Sequence, residues 1–192
     1  MRVEAKIGTA IRALPTERVC GDAIAIHDEG GVVLAVLIDG LGHGPGAARA
    51  SKAACDYISE HRGEPLKRLV EGCDRALRPT RGVVMTAVRI ERATGVMQHV
   101  AVGNVEMKYM GGGDITLLTS PGVVGTRLRK VVVRRAQLAP GDLLVMFTDG
   151  ISSRFDLAKI TAAGQGPQAL ADYLLANHAK EHDDAGCVVI RC

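Results

Sequence analysis

Two segments of the chain place an aspartate-glycine pair at the end of an apolar run: VVLAVLIDGLGHG carries Asp39-Gly40, and LLVMFTDGIS carries Asp149-Gly150. A third segment, HDDAGCVVI, puts Asp183 and Asp184 just ahead of another apolar run, and Asp22 heads the run DAIAI. Carboxylates at the end of one strand and the start of an antiparallel neighbour meet at one sheet edge, so these five are expected to converge there. Like charges at such spacing repel strongly unless cations neutralise them. An oxygen-only donor set with no His or Cys cluster suits hard ions, Mg²⁺ or Mn²⁺. Two such ions, about 3.5–4 Å apart, can clamp a phosphoryl group for in-line displacement. The glycine after each aspartate lets a backbone carbonyl come close to the ion. A single Asp-Gly is an ordinary turn; it is the repetition after apolar strands, with Asp-Asp before a third, that points to a metal centre.

The stretch GLGHGPG between a strand and a helix also has the outline of a phosphate cradle. Its spacing is neither GxGxxG nor GxxxxGK[ST], and Asp39 at the strand tip would repel a phosphate unless a metal stood between them.

The elements that must position these residues follow from periodicity. Val3, Ala5, Ile7 and Ile11 share a face at period two, as in a half-buried strand. Ala23–Ile26 and Val32–Ile38 read as strands joined by the turn HDEGG. Pro45 suits a helix start, and GAARASKAACDYISE is rich in helix formers. A second helix is expected over Pro65–Leu77, stopped by Pro79. From Val83 to Phe147 the chain reads as strands: VVMTAVRI, VMQHVAV, VEMKYM, DITLL, VVVRR and LLVMF. A last helix over Gln168–His178 precedes the strand CVVIRC, and SSRFDLAKITAAGQG reads as a short flap over the site. Consecutive strands with helices in two blocks argue α+β with mainly antiparallel sheet.

The chain has 192 residues, 47% of them hydrophobic, enough to bury a sizeable core, and neither linker nor repeat divides it, so one domain spanning 1–192 is expected. A net charge of +3 does not call for a nucleic-acid partner, and two Phe, three Tyr and no Trp leave few platforms for stacking bases. No apolar run is long enough to span a membrane, and the charged start MRVEAKIGTA has no secretory core. A cytoplasmic location is therefore expected. Five cysteines without CxxC spacing read as free thiols, and none is followed six residues later by the Arg of a thiol phosphatase. His178 and His182 beside Asp183 imitate a ligand spacing without a third fixed ligand for zinc. Arg127, Arg129, Lys130, Arg134 and Arg135 read as a solvated hairpin face, with docking of an acidic phosphoprotein as the sharper alternative.

In combination and in order, CGDAIAI, VLIDGLGHG, MTAV, AVGN, SPGVVG, PGDLLVMFTDG and DDAGCVVI resemble the metal-dependent protein phosphatases, the PPM or type 2C superfamily, and within it the SpoIIE-like branch. The resemblance runs from about Val19 to Ile190. It implies a four-layer α-β-β-α sandwich and a phosphoserine/phosphothreonine phosphatase with two Mn²⁺ or Mg²⁺ ions. It implies Asp39 as the metal-bridging carboxylate, Gly40 as a carbonyl ligand, and Asp149 and Asp183 as further ligands. Asp22 stands where the family has an acidic residue near a second or additional ion, and Asp184, beside Asp183, is implied as a metal ligand as well. Asn104, in the GN turn, is implied to support a ligand. His43 is the imidazole available to protonate the leaving oxygen, with local loop capping as the alternative. The partners implied are phosphorylated stressosome scaffold proteins, met by a monomer.

Three departures stand out. Arg18 is the only arginine near the family's upstream phosphate-binding position, and its spacing differs. Leu41 separates the metal Asp-Gly from His43. Ser152-Ser153-Arg154 replaces the acidic residue frequent soon after TDG. Phosphate anchor and general acid thus stay open at the level of sequence. A catalytically silent phosphoprotein-binding module is the competing function, and retention of the repulsive acidic cluster argues against it.

Overall fold

The computed structural model describes residues 1–161 and 166–192. Its elements run β1 (Lys6–Arg12), β2 (Asp22–Glu29), β3 (Val32–Gly40), α1 (Gly44–Glu60), α2 (Leu66–Ala76), β4 (Val83–Glu91), β5 (Val96–Val102), β6 (Glu106–Met110), β7 (Arg134–Gln137), β8 (Leu143–Phe147), α3 (Leu157–Thr161), α4 (Pro167–His178) and β9 (Ala185–Arg191). The strands form two antiparallel sheets, one ordered β2-β3-β4-β5-β7 and the other β1-β9-β8-β6.

Alternation along β3 explains how the layers stack. Val33, Ala35 and Leu37 face the second sheet, where they meet Leu144, Met146, Val188 and Ile190 in a core between the sheets. Leu34, Val36 and Ile38 point the other way, into a core closed by Ala50, Ala54 and Ile58 of α1 and Leu69, Val70 and Cys73 of α2. A strand buried on both faces reads as a continuous apolar run, which is what VVLAVLI is. On the far side, Leu143, Val145, Phe147, Cys187 and Val189 pack under Leu170, Ala171 and Leu174 of α4. The four layers are α-β-β-α, as expected. Each fully buried branched side chain in these cores is worth about 1.5–3 kcal/mol.

Helix α1 lies close on its sheet because its inward positions are small: Gly44, Ala47, Ala50, Ser51 and Ala54, at helical spacing. Its far end is held by the Tyr57 carbonyl, which accepts the His61 backbone N–H, and the two rings stack at 4.0 Å. Among the described residues, no helix is long and apolar enough to cross a membrane. All five cysteines are free.

Several expectations shift. Val3 and Ala5 are buried as their alternation implies, but Ala5 takes a positive φ of 51°, so pairing begins only at Lys6. DITLL forms no strand: residues 114–119 run irregularly, with Ile115 packed on the inter-sheet core. The strand expected at VVVRR lies three residues later, at Arg134–Gln137. Within the expected flap, Leu157–Thr161 is a short helix; residues 162–165 of that segment lie outside the described residues.

Candidate functional site

The five carboxylates do not share one sheet edge. Asp22 and Asp39 face each other in the β2–β3 ladder of the first sheet. Asp149 follows β8, and Asp183 and Asp184 precede β9, on the second sheet. They meet across the mouth of the sandwich, because β8 and β9 lie in the sheet opposite β3. Strand alternation explains the inward aim of the first pair. Asp22 continues the face of Ile24 and Ile26, and Asp39 that of Ala35 and Leu37, which is the inter-sheet face.

The mouth is electrostatically loaded. Burial, and then the facing Asp39, pushes the Asp22 carboxyl up to about 8. Burial, followed by the charges of Asp149, Asp183 and Asp184, pushes Asp39 up to about 7. Asp149 is also raised, by burial and by Asp183, although Lys180 opposes the shift. Carboxyls from both sheets therefore feel one another, and among the described residues neither Asp22 nor Asp39 has an ion-pair partner.

Adjacent aspartates do different work. Both Asp184 oxygens already accept backbone N–H groups, from Leu14 at 2.8 Å and Gly21 at 3.0 Å. Asp184 is 3% exposed, whereas Asp183 is half-buried with one oxygen bonded only to the next backbone N–H. The geometry makes Asp184 a clamp between β9 and the segment leading into β2. Asp22 is fixed by a relay across the sheets: the Gly186 N–H donates to Thr148 Oγ1 at 2.9 Å, and that hydroxyl donates to Asp22 at 2.7 Å. Cys20 lies next to these carboxylates, but burial pushes its thiol up to about 12, so it offers no thiolate.

Asp149 is supported from both sides. Asn104 Nδ2 donates to its carboxylate at 2.7 Å, and Lys180 Nζ donates to its backbone carbonyl at 2.6 Å. Both Asp-Gly glycines are demanded by close approach. A Cβ on Gly40 would collide with the Ala47 carbonyl of α1, and one on Gly150 with the Asp184 carbonyl. His43 precedes α1 and is exposed; its Nδ1 donates to Glu17 at 2.7 Å. Glu17 and Thr148 escaped sequence reading, because an isolated Glu in TERV and a Thr in FTDG carry no local signal. Lys180 stood in a charged loop for the same reason.

The donor set fits a hard divalent cation. Asp22, Asp39, Asp149 and Asp183 supply only oxygen and an excess of negative charge in a half-desolvated mouth, and the raised carboxyls of Asp22, Asp39 and Asp149 show how strongly that mouth favours a cation. Among the described residues, no three His, Cys, Asp or Glu side chains stand at the spacing of a closed metal site.

Comparison with known proteins agrees with this geometry. Residues 29–192 match the family model for stage II sporulation protein E (SpoIIE). The chain is 23% identical over 168 residues to phosphoserine phosphatase RsbX of Bacillus subtilis (strain 168), covering 86% of this chain and 84% of that one. It superposes on a chain solved in work on the bacterial stressosome, a modular system adapted to control secondary messenger signaling, with 29% identity and a TM-score of 0.92 over 98% of this chain and 100% of that one. RsbX in complex with magnesium shares the fold at a TM-score of 0.86, with 19% identity and 98% and 99% coverage. With its four-layer fold, its acidic mouth and a family match that spans most of its length, this chain belongs to the SpoIIE family of PPM-type, metal-dependent phosphatase domains.

Proposed function

We propose that residues 1–192 form one catalytic unit, a monomeric cytoplasmic protein phosphoserine/phosphothreonine phosphatase that uses two Mn²⁺ or Mg²⁺ ions. The observation that carries this reading is the convergence of Asp22 and Asp39 from one sheet with Asp149 and Asp183 from the other across a single mouth. Asp39, Asp149, Asp22 and Asp183, with the Gly40 carbonyl, would hold the ions. Bound divalent ions supply the Lewis-acid charge and activated water for direct attack on phosphorus. The chain's own part is positional. The Thr148 relay and the Asn104 amide fix two of the carboxylates, so their orientation is set before substrate arrives. His43, its ring held through Nδ1 by Glu17, protonates the departing serine or threonine oxygen.

The substrates we infer are phosphorylated stressosome scaffold proteins, whose dephosphorylation resets the general stress response. Similarity to phosphoserine phosphatase RsbX and to the stressosome-associated chain supports that class. The test is hydrolysis of a chromogenic phosphate ester and of a phosphoserine protein by the purified chain, with EDTA, Mg²⁺ or Mn²⁺ added in turn. Turnover that needs a divalent ion and disappears in Asp39→Asn is the expected result. Absence of turnover with every metal, on both substrates, would leave a silent phosphoprotein-binding module instead.

A further inference from the structure

The segment that follows Asp149 is pinned more firmly than an exposed loop needs to be. The Lys180 N–H donates to the Gly150 carbonyl at 2.8 Å, the Ser152 N–H donates to the His178 carbonyl at 2.8 Å, and Ile151 bridges to Ala179. On the other side, Lys108 Nζ donates to the carbonyls of Ser153 at 2.6 Å and Phe155 at 2.8 Å. The same ammonium lies 4.1 Å above the Phe155 ring, and that buried ring stands edge-on to Phe147 at 5.2 Å. Arg154 is the exposed residue between these anchors. Its backbone is held, and its guanidinium makes no ion pair among the described residues.

What this rigid turn borders is a cavity of about 310 Å³ walled by Asp149, Ser152, Ser153, Arg154, Lys180 and Glu106. Two cations face two carboxylates there, and one of those carboxylates is a candidate metal ligand. A divalent ion on Asp149 leaves the cavity net positive. Its donors are also uncommitted. Lys180 Nζ has three N–H groups and uses one on the Asp149 carbonyl. Ser152 Oγ accepts the Arg154 N–H at 3.4 Å, so its hydroxyl proton remains free to donate. A planar guanidinium fork, an ammonium and a hydroxyl around one space, next to a metal carboxylate, match the oxygens of a phosphoryl group.

We propose that Arg154, assisted by Lys180 and Ser152, binds the non-bridging phosphoryl oxygens of the substrate and is the phosphate anchor that the sequence left open. The assignment rests on the phosphatase reading for its substrate, but phosphate binding can be measured without turnover. Inorganic phosphate is titrated calorimetrically into the Mn²⁺-loaded protein, and product inhibition by phosphate is measured alongside. Arg154→Ala weakens phosphate binding at least about tenfold, as loss of a charge-assisted hydrogen-bond pair requires, and Arg154→Lys recovers part of it. On a phosphoserine peptide, KM rises by a similar factor while kcat falls less.

A merely structural Arg154 would not give that rescue or that split. Phosphate affinity in Arg154→Ala within twofold of wild type overturns the proposal, as does a wild-type protein that binds no phosphate. Equal competition by an unphosphorylated acidic peptide would show that the cavity reads carboxylates, and would overturn it too. Absence of turnover in the wild type, with Arg154-dependent phosphate binding intact, would count against the phosphatase reading and leave the anchor standing.

Discussion

The two sheets bring carboxylates to the same mouth by different means. The first sheet builds Asp22 and Asp39 into paired strands, facing each other in register and largely removed from water. The second sheet offers Asp149 and Asp183 from turns beyond the strand ends, where Asn104 and Lys180 steady Asp149. The strand-borne pair stores electrostatic strain, raised carboxyls with no cation partner, and has little freedom to relieve it. The turn-borne pair is better solvated. A centre built this way has one half buried in paired strands and one half presented from braced turns at the solvent edge.

The most severe way to break this asymmetry is Asp39→Asn. It should lower turnover by about three orders of magnitude, the scale on which charge-stabilising groups act in catalysis. In metal-free buffer the same variant should be more stable than wild type, since it removes a carboxylate repelled by its neighbours. A thermal melt in EDTA checks the second point, and a lower Tm would mean that the strand-borne pair is not strained.

Separating Asp183 from Asp184 sharpens the contrast next. Asp184→Ala leaves the buried Gly21 N–H and the part-buried Leu14 N–H without an acceptor and should cost about 3 kcal/mol of unfolding free energy in a denaturant titration. Asp183→Ala should leave the unfolding midpoint nearly unchanged while weakening Mn²⁺ binding. If the two variants behaved alike, the division between clamp and ligand would fail.

Asn104→Ala probes the turn-borne half. Loss of one supporting hydrogen bond to Asp149 should reduce metal affinity about tenfold, at the low end of what such supports contribute, and calorimetric Mn²⁺ titration reads it directly.

The smallest effect is on pH dependence. In their folded state Asp22 and Asp39 hold protons up to about 8 and about 7, against 3.8 as the ordinary value. The folded chain therefore binds more protons than the unfolded one between those limits. Stability contributed by these groups is complete below about pH 4 and is lost as pH rises toward 8. Metal-free protein should show a Tm decline across that window from this source, and added Mg²⁺ or Mn²⁺ should raise Tm more at pH 8 than at pH 5. A stabilisation equal at both pH values would contradict the shared origin.

Much of this was legible in the chain itself. VVLAVLI announced a strand buried on both faces, and Pro45 with the alanine-rich stretch announced α1, because both patterns depend on local periodicity. The aspartates were legible as a set because Asp-Gly recurred after apolar strands. Their division between two sheets was not, since nothing local in β8 or β9 says which strand each will pair with. DITLL misled because a short apolar alternation becomes a strand only where a partner edge is free, and here it serves as irregular cover over the inter-sheet core. The Asp184 clamp was invisible for a related reason: its partners, Leu14 and Gly21, are chosen by tertiary packing and carry no side-chain signal.

That clamp also bears on when the protein can first act. Gly21 and Asp184 are 163 residues apart in sequence, and β1 finds its partner only in β9. During synthesis, β9 must emerge before the mouth exists, because β1 and β8 lack their shared neighbour until it docks. Pairings that span such distances close large loops and form late. Competence therefore waits on β9. A chain ending before Ala185 should hold neither metal nor its native melting transition.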